Sequence, residues 1–194
     1  MAVVAHKLRR SAPPVLVLTA ITLLAGARAA QHAMPPAPRM TVTSTAFTPG
    51  GGIPVEYTCD GPGVSPPLAW SGVPTNAKSL ALIVDDPDAP DPAHPQMTWV
   101  HWVLYDLPPA TTTLAKGASG SLPPGTKEGK NDWKRTGYGG PCPPVGRHRY
   151  FFKLYALDTV LPNLHAPTKA QLENAMKGHI VAHGELIGTY ARSK

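Results

Sequence analysis

The sequence predicts a mainly β protein with one domain, and three observations carry that prediction. Proline and glycine are abundant, at 24 and 18 of 194 residues, and they follow no repeat period. Only 15% of the residues are charged. Three segments, 79–84, 98–107 and 149–157, are rich in apolar, β-branched and aromatic residues, as buried strands are. Together these features favour apolar strands joined by long, shaped loops and argue against disorder.

Shorter strands and one long loop complete the first two thirds of the chain. Residues 40–45 alternate in polarity as an edge strand does, and 55–58 form a second extended segment after three consecutive glycines. Residues 68–71 have the composition of a short strand. Residues 110–137 are polar and weakly patterned, and a loop of that length in a compact domain is usually functional or partly disordered.

One helix is predicted near the C-terminus. Thr168 and Gln171 have the spacing of a capping box, and apolar residues follow at helical intervals until Gly184, which would end the helix. The helix is expected to cover a sheet, and residues 185–190 are expected to form a last strand. Two histidines four residues apart in this segment have no acidic or cysteine partner at zinc-site spacing, so no metal site is predicted.

Residues 1–29 have the features of a secretory signal peptide. A basic start precedes an uncharged apolar run at 15–27, which is short for a transmembrane helix, and Ala27-Arg28-Ala29 is a small-x-small cleavage site. Cleavage after Ala29 would leave a flexible lead-in at 30–39 and one domain at 40–194, in the periplasm or outside the cell. An uncleaved anchor is the alternative.

Removal of that signal changes the charge of the chain. Lys7, Arg9, Arg10 and Arg28 leave with it, so 18 basic residues fall to 14 against 12 acidic ones, and the net charge falls from +6 to +2. A charge so close to zero indicates neither nucleic acid nor an acidic membrane surface as a partner.

Two cysteines, Cys59 and Cys142, remain in the mature chain. In an oxidising compartment an even pair predicts a disulfide, and closing so long a loop would stabilise the fold by about 4 kcal/mol. Two buried thiols are the alternative. Neither cysteine lies in a nucleophile motif, so a catalytic role is not expected.

An acidic turn and a strand histidine are the first candidate site residues. Alternate residues of a strand share a face, so the odd-numbered residues from Trp99 to Tyr105, including His101, are predicted to point one way. Asp86 and Asp88, at the end of the preceding strand, are predicted to line the same pocket. Without partners, the two carboxylates would be turn-capping groups and the histidine a core residue.

The segment 139–150 is the second candidate. Its glycines would let backbone amides approach a ligand closely, and its prolines would stiffen the loop. His148 and Tyr150 follow on one face of the third apolar strand, which makes the segment a candidate anion receptor. Arg149 points to the opposite face and is expected to be structural. Alone, such a loop before a strand is more often only a loop.

Three motifs occur in order along the chain. They are D-P-D-A-P at 86–90, W-V-H-W at 99–102 and G-G-P-C-P-P-V-G-R-H-R-Y at 139–150. With further segments, they resemble the phosphatidylethanolamine-binding protein (PEBP) family, and more closely its bacterial Raf-kinase-inhibitor-like (YbhB/YbcL) branch. Gly63 and Lys134 depart from the residues common in the family. The further similar segments are Y-T-C-D-G at 57–61, S-P-P-L-A-W at 65–70, K-N-D-W at 130–133 and G-E-L-I-G-T-Y at 184–190.

The resemblance implies a PEBP-like fold: a large, mostly antiparallel sheet packed on a smaller one, with a C-terminal α-helix near the ligand cavity. It implies a binding protein rather than an enzyme, without cofactor or metal, which takes a small anion such as a phosphate, a phospholipid headgroup or a carboxylate. It also implies that a Cys59–Cys142 bridge would clamp the pocket loop. The pocket residues implied by matched motif positions are Asp86, Asp88, Trp99, His101, Gly140, Pro141, His148 and Tyr150.

In this interpretation, amides near Gly139 and Gly140, a tyrosine hydroxyl and a histidine donate hydrogen bonds to the anion. The two aspartates accept from the imidazoles and favour their charged form. Anion binding is therefore predicted to be tighter at about pH 5.5 than at about pH 8.

Two other functions are compatible with the residues. One is an inhibitor module directed at a protease or kinase, as some PEBP relatives are, although no residue identifies such a partner. The other is a metal-dependent or acid–base hydrolase, although the chain lacks a nucleophile elbow and zinc spacing. Its acid, base and metal-binding candidates would be Asp86, Asp88, Asp91, His94, His101 and His148.

Overall fold

The computed structural model describes residues 39–193. The predicted signal peptide, and all of the predicted lead-in except Arg39, lie outside the described residues. Residues 39–193 form eight strands, one α-helix and one short 3-10 turn, Val55–Tyr57. The regular elements are β1 (Thr41–Thr43), β2 (Leu68–Ser71), β3 (Ser79–Ala89), β4 (Met97–Leu107), β5 (Thr113–Leu114), β6 (Lys127–Glu128), β7 (His148–Leu157), α1 (Lys169–Met176) and β8 (Ile180–Tyr190).

The strands form two antiparallel sheets. The larger has the order β6-β4-β3-β7-β8, and the smaller has the order β1-β2-β5. The most apolar predicted strand is therefore central, and the predicted architecture of a large sheet, a smaller sheet and a C-terminal helix is confirmed. The predicted long loop at 110–137 contributes two short strands, β5 and β6, each of which lies at a sheet edge.

Side chains on both faces of the larger sheet are buried. Leu82 and Trp70 belong to one apolar cluster, which contains residues of both sheets. Ile83, Leu172 and Met176 belong to a second cluster, which joins the opposite face to α1. Burial on both faces explains why β3 is a continuous apolar run rather than an alternating one.

The register of β4 against β3 shifts at His101. Val84 lies opposite Trp102, whereas the next residue, Asp85, lies opposite Val100, so His101 is an extra residue in the ladder. A bulge of this kind reverses the alternation of faces beyond it. The prediction that the odd-numbered residues of this strand share one face was therefore wrong, since those after the bulge pack on the helix side.

The C-terminal helix is shorter than predicted. Its capping box is present, because the Gln171 amide donates to the Thr168 hydroxyl and the Gln171 side chain accepts from the Thr168 amide. The helix ends at Met176, before a left-handed Gly178, since the chain must reverse to pair β8 with β7. Gly184 does not end the helix but lies within β8, where a Cβ atom would stand 2.1 Å from the Met40 carbonyl oxygen.

The predicted extended segment at 55–58 is instead the 3-10 turn, whose backbone hydrogen bonds join Tyr57 to Pro54 and Thr58 to Val55. Within residues 39–193, no helix has the length and apolarity needed to cross a membrane.

Candidate functional site

A cavity of about 360 Å³ lies at the end of the larger sheet. Because β3 is antiparallel to both β4 and β7, the end of β3 meets the beginnings of the other two strands there. The acidic turn, the strand histidine and the Gly/Pro loop are thereby brought to one place. The lining residues are Asp86, Ala89, Pro90, Met97, Trp99, His101, Trp133, Cys142, Pro143, Pro144 and His148.

Asp86 and His148 form a buried pair at this cavity. Asp86 Oδ2 lies 2.7 Å from His148 Nδ1, and Asp86 Oδ1 accepts a hydrogen bond of 2.8 Å from the Asp88 amide. His148 Nε2 lies 3.0 Å from the Val145 carbonyl oxygen. Both ring nitrogens of His148 therefore face oxygen atoms of the protein. All four polar atoms are occupied, so His148 has no hydrogen bond left for a ligand.

His101 is fixed by two reciprocal bonds with Gly139. Its Nδ1 lies 2.7 Å from the Gly139 carbonyl oxygen, and the Gly139 amide donates to the His101 carbonyl oxygen over 2.9 Å. The Gly139 amide is therefore not free to bind an anion, contrary to the expectation from sequence. His101 Nε2 is buried and has no hydrogen-bond partner within residues 39–193. Burial lowers the pKa of His101.

Tyr150 lies beneath the cavity. Its side chain is fully buried, and its ring packs edge-on against His101 with the centroids 5.2 Å apart. Its hydroxyl is the second polar group here that has no hydrogen-bond partner among the described residues. Burial raises the pKa of Tyr150, so the hydroxyl stays protonated.

Asp88 is buried but does not line the cavity. Its carboxylate accepts from the Arg149 side chain at 2.6 and 2.9 Å and from the Arg149 amide at 2.9 Å. The hydrogen bonds from Arg149 lower the pKa of Asp88. This bidentate pair fastens the acidic turn to β7, and it leaves Asp86 as the acid that lines the cavity.

Gly140 and Pro141 lie behind the cavity wall, against the turn at 57–59. A Cβ atom on Gly140 would stand 2.8 Å from the Tyr57 carbonyl oxygen, and the Pro141 carbonyl oxygen accepts from the Cys59 amide over 3.0 Å. Cys59 and Cys142 form a disulfide, so the two segments are also joined covalently. The Cys142 side of this bridge lines the cavity, whereas Gly140 and Pro141 hold the loop in place.

Aromatic and apolar side chains form the mouth of the cavity. Trp99 is half-buried, and its ring packs edge-on against the Trp133 ring with the centroids 5.4 Å apart. The Trp133 ring also packs edge-on against the His101 ring, with the centroids 5.2 Å apart. Trp133 and Met97 are 39% and 50% exposed. Trp133 is not among the pocket residues predicted from the sequence, although it ends the K-N-D-W segment that resembles the family.

Of the six residues proposed for a hydrolase, three line the cavity, Asp86, His101 and His148, and the other three do not. His94 is highly exposed and lies 3.8 Å from Asp91 in the turn between β3 and β4, away from the lining of the cavity. Within residues 39–193, no three His, Cys, Asp or Glu side chains are grouped as metal ligands would be.

Comparison with known proteins gives a consistent assignment. Residues 43–191 match the family described as phosphatidylethanolamine-binding protein. A protein of Methanothermobacter thermautotrophicus called UPF0098 protein is 50% identical over 155 residues, which are 79% of this chain and 99% of that protein. A crystal structure of a PEBP homologue from Chlamydia trachomatis has a TM-score of 0.74 and 47% identity, covering 80% of this chain and 99% of the other. The crystal structure of Escherichia coli YbcL, called a member of the mammalian PEBP family, has a TM-score of 0.72 and 32% identity, covering 80% of this chain and 99% of the other.

Proposed function

Because the chain belongs to the phosphatidylethanolamine-binding protein family, we propose that it is an exported binding protein that holds a small anionic group in the cavity beside Asp86, His101 and His148. The observation that carries this proposal is a pair of buried polar atoms, His101 Nε2 and the Tyr150 hydroxyl, neither of which has a hydrogen-bond partner in the described part of the chain. A buried polar group without a hydrogen bond costs about 1–3 kcal/mol. A ligand that reached both atoms would recover that free energy.

The apolar mouth supports a ligand with a polar head and a larger remainder. Met97, Trp99 and Trp133 surround the entrance, and Pro143 and Pro144 complete the wall. Such a surface can cover hydrocarbon or aromatic parts of a ligand while the head binds at the polar inner end. This arrangement accommodates both a phospholipid headgroup and a soluble organic anion.

We propose binding without turnover. The described residues bring no nucleophile to a general base, since each hydrogen-bonded imidazole in residues 39–193 meets a carboxylate or a backbone carbonyl oxygen. Asp86 holds His148 in one orientation, and both ring nitrogens of His148 already face oxygen atoms of the protein. The role of the two side chains is to build the inner wall of the cavity.

Inorganic phosphate is expected to bind, and to bind more tightly at about pH 5.5 than at about pH 8. Burial lowers the pKa of His101, so the free imidazole is neutral, and a phosphate bound beside it favours a proton shared between the two. The complex then holds more protons than its separated partners at high pH, so affinity rises as pH falls. Isothermal titration calorimetry at both pH values checks this, and equal affinities would contradict it.

A pair of tyrosine variants tests where phosphate binds. Tyr150→Phe removes the unpartnered hydroxyl and is expected to weaken binding about tenfold, the usual effect of losing one hydrogen bond to a charged group. Tyr155→Phe is the matched control, because Tyr155 lies on the same strand and packs in the cluster on the helix side. Similar losses of phosphate affinity in the two variants would show that phosphate binds elsewhere.

Export is proposed from the N-terminal sequence and is consistent with the disulfide. The mature protein recovered from producing cells is expected to begin at Ala30. Intact-mass measurement with N-terminal sequencing checks this expectation. A chain that retains residues 1–29 in the membrane fraction would show that the segment is an anchor.

A further inference from the structure

A second cavity lies towards the other end of β4 and has a volume of about 530 Å³. It shares no lining residue with the cavity beside His101. Tyr105, which lines it, follows His101 by four positions, which corresponds to about 13 Å along a strand. β6 and the turn at 163–166 lie on its two sides. The polar lining residues are Thr126, Lys127, Glu128, Thr136 and Asn163.

Side chains at the end of β4 hold the two sides of the second cavity in place. Asp106 Oδ2 accepts a hydrogen bond of 2.8 Å from Lys127 Nζ, and Asp106 Oδ1 accepts one of 2.9 Å from the Leu161 amide. The Tyr105 hydroxyl accepts from the Leu164 amide over 3.3 Å. One strand end is thus bonded both to β6 and to the segment that leads into the turn. The second cavity is therefore a fixed part of the fold.

Three residues beside the second cavity have a left-handed backbone conformation that favours glycine. Asp106, His165 and Ala166 have φ angles of 57°, 53° and 57°. Among the other residues of 39–193 that are not glycine, only Lys134 has a positive φ. Such conformations are uncommon for residues with a Cβ atom, and they concentrate at functional sites. The occurrence of three of them here indicates that the shape of this cavity is kept although it strains the backbone.

The second cavity also contains side-chain groups without hydrogen-bond partners. The Thr126 hydroxyl is buried and has no partner within residues 39–193. In this respect it resembles His101 Nε2 and the Tyr150 hydroxyl at the first cavity. The Asn163 side-chain oxygen accepts from the His165 amide over 3.1 Å, which leaves the Asn163 amide nitrogen free to donate. Buried polar groups are rarely left unpaired, so a bound polar molecule is the simplest partner for Thr126.

The charges of the second cavity disfavour another anion. Lys127 is neutralised by the Asp106 carboxylate. Glu128 Oε1 accepts from Trp102 Nε1 over 3.1 Å, and Glu128 forms no ion pair among residues 39–193. The lining therefore carries an uncompensated negative charge, which repels an anion. Its free groups are a carboxylate oxygen that accepts, an amide nitrogen that donates and hydroxyls that do both.

We propose that the second cavity is a binding site for a neutral saccharide and acts independently of the anion site. A sugar hydroxyl both donates and accepts, so it can donate to Glu128 and accept from the Asn163 amide nitrogen. Neighbouring sugar hydroxyls can then reach Thr126. Leu122 adds apolar surface for the C–H groups of a sugar ring. The loop at 110–137 supplies much of this lining, and a loop of that length in a compact domain is usually functional.

Nuclear magnetic resonance of the 15N-labelled mature protein tests this proposal. Maltotriose and triacetylchitotriose are the probes, one with hydroxyl groups only and one with acetamido groups as well. At least one of them is expected to shift the amide signals of Thr126, Lys127 and Glu128 and to leave those of His101 and His148 unchanged. No shift at β6 with either sugar would overturn the proposal. Shifts there with inorganic phosphate or a capped tetra-alanine peptide, but with neither sugar, would also overturn it.

Thr126→Val tests which group binds the sugar. Valine has the shape of threonine without the hydroxyl, so sugar affinity is expected to fall about fivefold, the effect of losing one neutral hydrogen bond. Thr113→Val is the matched control, because Thr113 lies on exposed β5 outside the lining, and it is expected to keep the affinity of the unaltered protein. Unchanged sugar affinity in Thr126→Val would overturn the assignment.

Two further measurements on Thr126→Val separate binding from structure. Its unfolding temperature is expected not to fall, because the hydroxyl has no hydrogen bond within residues 39–193 to lose. A lower unfolding temperature would show that the hydroxyl is structural and would contradict the assignment. Phosphate affinity is expected to match that of the unaltered protein, since the two cavities share no lining residue. Failure of the sugars to bind therefore leaves the proposed anion-binding function standing.

Discussion

Replacing Asp86 with alanine is expected to lower the free energy of unfolding by about 2–6 kcal/mol, because it leaves two buried groups without their hydrogen bonds, at about 1–3 kcal/mol each. The Asp86 and His148 side chains are 5% and 0% exposed and meet at 2.7 Å. The substitution leaves His148 Nδ1 without an acceptor and the Asp88 amide without its bond to Oδ1. Urea unfolding followed by tryptophan fluorescence measures the loss.

The chain contains a matched control for this variant. His179 and Asp158 also form a histidine–aspartate pair, at 2.9 Å, but their side chains are 46% and 45% exposed. Asp158→Ala is therefore expected to cost less than about 1 kcal/mol, because solvent screens an exposed pair. Similar losses for the two alanine variants would show that burial of the Asp86–His148 pair does not determine its contribution.

Consecutive acids on β3 act on opposite faces of the sheet. Asp86 faces the cavity, whereas Asp85 is fully buried on the helix side and pairs with Lys153 and Lys169. Lys169 is the first residue of α1, so Asp85 fastens the helix to the strand whose next residue lines the cavity. Two neighbouring residues, Asp85 and Asp86, thus connect α1 and the cavity lining through adjacent positions of the backbone.

The sequence was sufficient to predict the strands that build the site. Each apolar segment became a long strand, and antiparallel pairing brought Asp86, His101 and His148 to the same end of the sheet. It could not predict the bulge at His101, because a register shift depends on the partner strand. A second irregularity between Asp86 and Ala89 breaks the alternation that had placed Asp88 beside Asp86.

Trp133 shows why loop residues were harder to place. Its position depends on Asp132, whose amide donates to the Val100 carbonyl oxygen and whose carboxylate accepts from the Val100 amide. These bonds join residues 32 positions apart. Sequence periodicity shows only which residues of one helix or strand share a face. A polar loop that is held by long-range hydrogen bonds has no periodic pattern, so its position cannot be predicted in this way.

Removing the Cys59–Cys142 disulfide is expected to lower the free energy of unfolding by an amount similar to that expected for Asp86→Ala. The bridge acts mainly by restricting the unfolded chain. Cys59 and Cys142 are 83 positions apart, and a bridge closing a loop of that length stabilises a fold by about 4–5 kcal/mol in the chain-entropy account. The Cys59→Ser, Cys142→Ser double variant is expected to lose most of that free energy. Reduction of the unaltered protein should reproduce the loss, and a much smaller loss would contradict the prediction.

Phosphate affinity is expected to change far less than stability in the same double variant. The pocket loop keeps two other ties to the turn at 57–59: the Cys59 amide donates to the Pro141 carbonyl oxygen, and the Tyr138 hydroxyl donates to the Tyr57 carbonyl oxygen, each over 3.0 Å. A bridge that acts mainly on the unfolded chain leaves the folded cavity intact. Calorimetry below the unfolding transition should therefore show an affinity within about threefold of the unaltered protein, less than one hydrogen bond contributes. A loss of phosphate binding in the folded variant would mean that the bridge shapes the cavity as well as stabilising the chain.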